Sequence, residues 1–142
     1  MYTIKEASKI LGLTEHTLRY YTDKGLTPSL IRDENNKRLF NDASLQWLAG
    51  AKKLKTCGMS IDNIKKYVDL CLEGESTINE RYELIAAQKE EVLKKYEEIK
   101  KMKEYIINKE QHYRDIMEGK IEDDTNPSLW GNSDKKFDYI EV

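Results

Sequence analysis

His16, Thr17, Arg19, Tyr20, Tyr21 and Lys24 fall within one stretch of nine residues. An imidazole, a hydroxyl, a guanidinium, two phenols and an ammonium make a set of donors that suits phosphate oxygens and base edges in a major groove. Lys37 and Arg38 form a second basic group further on. No glycine-rich nucleotide loop, nucleophile–base motif or pair of catalytic carboxylates is present, so an enzyme is not expected. The thiols Cys57 and Cys71 and the widely separated His16 and His112 do not make a thiolate-rich set in one chain, so neither a metal nor a cofactor is expected. Cys57, beside Gly58 at a helix end, is a candidate redox thiol. That role needs a lowered pKa and access. The alternative is that both cysteines are small buried hydrophobes.

The first group needs a helix to present it. Thr3-Ile4-Lys5-Glu6 reads as a capping box, starting a short helix to about Leu11 with Ala7, Ile10 and Leu11 inward. Gly12 stands where a left-handed residue ends a helix. Thr14 caps a second helix, Glu15 to about Lys24, and Gly25 ends it. Leu18 points inward between Leu13 and Leu26, and Tyr21 lies at the boundary. Two short helices across a glycine turn make a helix-turn-helix candidate. The helix alone leaves a second reading open, a solvated amphipathic helix with its tyrosines packed on a neighbour.

Pro28 prevents a helix after Leu26. Leu30-Ile31-Arg32 and Arg38-Leu39-Phe40 are strand-like around the polar turn Asp33–Lys37, a hairpin whose tip carries Asn36, Lys37 and Arg38. Placed after a helix-turn-helix, such a hairpin is a wing. Asn41 or Asp42 starts a third helix to about Cys57, with an apolar stripe at Leu45, Leu48, Ala49, Ala51 and Leu54. Trp47 belongs to the core. Ser60 caps a fourth helix with Ile61, Ile64, Val68 and Leu72 inward.

Thr77-Ile78-Asn79-Glu80 reads as another capping box. From there to about Met117 no Gly or Pro occurs, which gives a helix of about 60 Å. Ile78, Ile85, Val92, Ile99, Ile106 and Tyr113 recur every seven residues, a coiled-coil seam. The positions three further on are mostly polar, so the stripe is imperfect. A helix of this length has no partner of similar length in its own chain, and a homodimer is expected.

Composition agrees with a small, mainly helical protein. The chain has 142 residues, 35% of them charged, with only seven Gly and two Pro. The net charge of −2 hides a split: residues 1–60 carry ten Lys/Arg against six Asp/Glu, and residues 77–142 carry twelve against sixteen. The front half suits a polyanion and the back half does not. No apolar run reaches membrane-spanning length, and Met1–Ile10 does not read as a secretory leader, so a cytoplasmic protein with no membrane partner is expected.

Residues 1–72 closely resemble the winged-helix DNA-binding domain of MerR-type transcription regulators. The resemblance rests on Tyr2-Thr3-Ile4-Lys5-Glu6-Ala7, Thr17-Leu18-Arg19-Tyr20-Tyr21, Gly25-Leu26 with Pro28, Arg32, Arg38-x-Phe40, and Gly58-Met59-Ser60-Ile61. The chain departs from the family pattern in two places. Thr22 and then Asp23 follow the tyrosine pair, where the family has an acidic residue directly. The wing reads Asn36-Lys37-Arg38-Leu39-Phe40 rather than Gly-Tyr-Arg-x-Tyr.

The resemblance implies a winged helix-turn-helix domain (1–72) and a long dimerisation helix pairing antiparallel with its mate (73–117); the acidic residues 118–142 that follow read as a tail that either docks Leu129 and Trp130 on the dimer or stays loose. It implies that Arg19 and Tyr20 touch the operator with His16 and Thr17 nearest the bases, that Arg38 holds the backbone, and that Tyr21 contacts phosphate or packs. Its implied partners are a second copy, a pseudo-palindromic promoter duplex that the dimer distorts, and RNA polymerase. The metal-responsive members carry Cys at the start of the long helix and in a loop after it, and no Cys follows Cys71 here. Members often bind an inducer at or beyond the long helix, but the sequence names no small-molecule effector. The competing class is an excisionase-like or architectural DNA-binding protein, which the long helix argues against.

Overall fold

The computed structural model describes residues 1–130. It is mainly helical with one small sheet: β1 (Tyr2–Thr3), α1 (Ile4–Leu11), α2 (Glu15–Asp23), β2 (Ile31–Arg32), β3 (Arg38–Phe40), α3 (Asp42–Thr56), α4 (Ile61–Glu73), and α5 (Ile78–Met117). The chain divides into two units, Met1–Val92 and Leu93–Val142.

The helix starts follow local chemistry. Thr3 and Glu6 form the expected capping box: the Thr3 backbone N–H donates to the Glu6 carboxylate at 2.8 Å, and the Glu6 N–H donates to the Thr3 hydroxyl at 3.3 Å. The Thr3 backbone N–H, and after it the Thr3 hydroxyl, which donates to the same carboxylate at 2.9 Å, hold the Glu6 carboxyl below its ordinary 4.5. Thr14, Asn41 and Ser60 cap α2, α3 and α4 in the same way. Gly12 closes α1 in the left-handed conformation, φ 62°.

The core of the first unit gathers Ala7 and Leu11 from α1, Leu18 and Tyr21 from α2, Leu26, Phe40, Leu45 and Leu48 from α3, Met59, and Ile64 and Val68 from α4. Trp47 and Leu54 pack against it half-buried. Three assignments change. Ile10 is 57% exposed, because at 100° per residue it lies about 100° around α1 from Leu11, off the buried face. Leu72 is 55% exposed although it shares the stripe of Val68, and Leu70 is buried in its place. Leu70 is covered because a 3-10 turn, Glu75–Thr77, folds back on the end of α4. That turn also removes the second capping box. The Thr77 hydroxyl bonds to the carbonyls of Leu70 at 2.5 Å and Gly74 at 2.8 Å and accepts from Arg81 Nε at 3.1 Å.

The sheet holds a strand that the sequence pattern did not reveal. β1 pairs antiparallel with β3, Tyr2 opposite Phe40, and β3 pairs with β2, giving the order β1-β3-β2. The Tyr2 phenol bonds to Asp42 at the start of α3, and this neighbour raises its pKa above the ordinary value.

In the second unit α5 runs on to Met117 and Gly119 (φ 74°) ends it, with the Lys120 N–H bonded to the Asp115 carbonyl at 2.9 Å. His112 Nε2 lies 2.6 Å from Asp124 Oδ1, and the Trp130 indole N–H donates to the Asp124 carbonyl at 2.5 Å. The remainder of the expected tail, 131–142, lies outside the described residues. Among the described residues no helix is long and apolar enough to cross a membrane.

Two outcomes are expected. Thr77→Val, which keeps shape but removes the buried hydroxyl that bonds to the Leu70 and Gly74 carbonyls and accepts from Arg81 Nε, lowers stability by about 1–2 kcal/mol in urea unfolding. Because Glu6 has a lowered folded pKa, its contribution is complete above the ordinary carboxylate value of 4.5 and is lost as pH falls through the lower folded value. Thermal melts of Glu6→Gln therefore converge on the wild type in acid and separate from it near neutrality.

Candidate nucleic-acid interface

The α1–α2 turn is fixed from both sides. Ser8 Oγ donates to the Leu13 carbonyl at 2.5 Å, and Lys52 from α3 donates to the Leu11 carbonyl at 2.6 Å. Leu18, wholly buried, and Tyr21, 6% exposed, root one face of α2 in the core. The rest of α2 must then face away from it.

That outer face carries the residues singled out from the sequence. His16, Arg19, Tyr20 and Lys24 are exposed, and Thr17 is half-buried. Thr17 also serves the cap: its N–H donates to Thr14 Oγ1 at 3.1 Å, and the two hydroxyls lie 2.9 Å apart. Arg19 Nη2 reaches Glu15 one turn back at 3.1 Å, a pair with both side chains in water. Such a surface pair is worth little, about 0.3–0.5 kcal/mol, so the guanidinium is easily drawn to a stronger anion. Lys24 Nζ stands 5.7 Å from the centre of the Tyr20 ring. Tyr21 is a packing residue here; burial pushes its phenol pKa up, so it stays neutral.

The wing is braced by its own turn. Asp33 Oδ1 accepts the N–H groups of Asn35 at 2.9 Å and Lys37 at 2.8 Å, and Arg32 Nη1 donates to the Asn36 carbonyl at 2.9 Å. Asn36 takes the left-handed conformation, φ 59°, at the place where the family pattern has glycine. Lys37 is exposed beside it. Arg38 is not at the tip: it lies in β3, its side chain 17% exposed, with Nη2 2.5 Å from Asp23 Oδ1.

Between α2 and the wing lies a cleft of about 560 Å³ lined by Lys5, Arg19, Arg32, Lys37 and Arg38 together with Asp33. The sequence pattern does not single out Lys5, and it marks Arg32 only as a wing residue. The β1–β3 pairing, which puts the start of α1 beside the wing, brings Lys5 into the cleft. Five cations round one concavity favour a polyanion of matching width.

The seam residues of α5 are exposed: Ile78 53%, Ile85 40%, Val92 39%, Ile99 58%, Ile106 60% and Tyr113 44%. Cys57 is exposed and caps α3, its carbonyl accepting from Gln88 at 2.6 Å, which excludes the buried-hydrophobe reading for this thiol; Cys71 is half-buried.

Residues 2–71 match the model of the MerR HTH family regulatory proteins. An uncharacterized HTH-type transcriptional regulator of Haemophilus influenzae is 40% identical over 91 residues, covering 64% of this chain and 67% of that protein. The chain thus spans about two thirds of the length of the curated relatives it matches. Among solved structures, HiNmlR, a MerR family regulator lacking the sensor domain and bound to promoter DNA, superposes with a TM-score of 0.72 at 34% identity, over 82% of this chain and 92% of that one. A MerR family regulator from Bacillus thuringiensis gives 0.68 at 38% identity, over 79% and 98%. A helix-turn-helix, a wing flanking a basic cleft and this set of relatives agree: the chain belongs to the MerR family of DNA-binding transcriptional regulators.

Proposed function

We propose that the protein binds a pseudo-palindromic promoter operator as a homodimer and regulates transcription by holding that duplex distorted. One observation carries the reading: α2 and the wing flank a cleft lined by five cations, in a chain whose long helix leaves six heptad-spaced apolar residues exposed. In this reading His16 and Thr17 meet base edges from the first turn of α2. Arg19, Tyr20, Lys24 and Lys37 meet phosphates, and Lys5 and Arg32 add to the field. Phosphate contacts set affinity and its salt dependence, and base contacts set the sequence chosen. Relatives support the target class, since HiNmlR is bound to promoter DNA in its crystal structure.

The second copy follows from α5. An isoleucine side chain gains about 1.5–3 kcal/mol when fully buried rather than exposed, and the seam offers four isoleucines with Val92 and Tyr113. Pairing the seams of two antiparallel helices buries this surface and sets two reading heads on one duplex at a spacing that a two-fold operator mirrors. RNA polymerase is the partner at such a promoter, and the distortion is supplied by contacts that favour bent over straight DNA.

Arg19→Ala weakens operator binding by about 1–3 kcal/mol in a gel shift, because it removes a charged donor able to make two bonds at once. Ile99→Asp gives a monomer by light scattering, and operator affinity falls on the order of a hundredfold because a lone head loses the avidity of the pair. A dimer that persists in Ile99→Asp, or an unchanged affinity in either variant, contradicts the proposal.

A further inference from the structure

We propose that Asp23 is a positioning residue: by holding the Arg38 guanidinium it locks the wing to the recognition helix, and Arg38 serves the interface through that lock rather than by touching phosphate. The inference rests on the DNA-binding reading above and deepens it.

Three observations carry it. Strand pairing puts Arg32 directly opposite Arg38. Two cations facing each other across a pair of strands repel, and no carboxylate on the two strands offsets them. Asp23, the last residue of α2, supplies the anion from outside the wing, with Oδ1 2.5 Å from Arg38 Nη2. The Arg32 guanidinium is engaged within the hairpin, donating to the Asn36 carbonyl.

Exposure is unequal. The Arg38 side chain is 17% exposed while that of Asp23 is 62% exposed. Arg38 Nε is buried with no hydrogen-bond partner among the described residues. A guanidinium that is mostly covered and tied through one nitrogen presents little to a phosphate. Lys5, Arg19 and Lys37, on the same cleft, stand in water and are better placed.

The third observation is the position of the carboxylate. Thr22, directly after the tyrosine pair, is turned inward, its hydroxyl bonded to the carbonyls of Leu18 at 2.9 Å and Arg19 at 3.0 Å. The next residue, Asp23, is therefore the first on this helix end whose side chain reaches the wing. It is the only ion pair among the described residues that joins two elements of the first unit; its other pairs, Arg19–Glu15, Lys65–Asp69 and Lys89–Glu90, each lie within one helix. A wing held this way keeps a set distance between Lys37 and the cations of α2, and that distance must match the phosphates of one groove.

The two roles differ in sign. If Arg38 bound phosphate, removing the Asp23 carboxylate would free the arginine, take away a negative charge near DNA, and tighten binding. If Asp23 positions the wing, its removal weakens binding. The test uses the full chain and one duplex, selected by the wild-type protein from a random-sequence pool, with affinity measured by fluorescence anisotropy over a range of KCl concentrations. Asp23→Asn and Arg38→Ala are each expected to weaken binding by about tenfold, the size of one lost charged hydrogen bond, with the slope of log affinity against log salt unchanged. Lys37→Ala lowers that slope by about 1. Asp23→Glu and the exchanged pair Asp23→Arg with Arg38→Asp restore most of the affinity. Without DNA, amide exchange rises in the β2–β3 hairpin of Asp23→Asn and stays unchanged in α3 and α4, which separates a loosened wing from an unfolded domain. Tighter binding by Asp23→Asn, or a slope lowered by about 1 in Arg38→Ala, overturns the lock while leaving the DNA-binding reading intact. A wild-type protein that selects no duplex overturns that reading and the lock with it.

Discussion

Leu18 sets the direction in which the second helix faces. Its side chain is wholly buried, and Tyr21 lies beside it on the same side of α2. With that side rooted in the core, the helical repeat leaves His16, Arg19, Tyr20 and Lys24 no place but the opposite surface. That polar surface is thus a by-product of packing. No favourable interaction among its cations holds it up, and none is needed. The same core side chain orients the helix and turns its polar side outward.

Such a surface collects charge that disfavours the folded state. Five cations around a single cleft repel one another, and two of them face each other across β2 and β3. The fold offsets this with few anions, each tied to a local task. Asp33 organises the turn through two backbone N–H groups. Glu15 sits one turn from Arg19. Asp23 meets Arg38. These carboxylates brace the elements and leave the outward cations on Lys5 and Lys37, so the cleft remains net positive towards the outside.

The second half of the chain presents the opposite problem. Along α5 most of the large apolar residues are exposed, and no residue of the helix is buried. Pairs between residues a turn apart give a few tenths of a kcal/mol each, less than what the exposed isoleucines would gain by burial. Where α5 begins, Thr77 and Arg81 converge on the carbonyls at the end of α4. This knot of hydrogen bonds fixes the start of the long helix on the end of α4.

Helix starts were legible in the sequence because a cap is a bond between residues three apart, and Thr3, Thr14, Asn41 and Ser60 all behave accordingly. The helix-turn-helix, the hairpin and the outward residues of α2 were legible for a related reason, since glycine positions and helical period depend on near neighbours. Thr77 looks like another cap and is not one, because it lies inside a 3-10 turn and its hydroxyl accepts from the Arg81 side chain instead, while its proton goes to a carbonyl seven residues back. Ile10 and Leu72 looked buried, yet an apolar side chain is covered only where another element reaches it, and period says nothing of that reach. The pairing of β1 with β3 joins residues nearly forty apart, and it brings Lys5 to the cleft. The hairpin pattern places Arg38 at the tip, and only the placement of α2 against the wing puts Asp23 within bonding distance of it. By itself the sequence determined which segments are helical and which chemistry they carry. Tertiary structure alone decided which of those groups meet, because contacts distant in sequence depend on how whole elements pack.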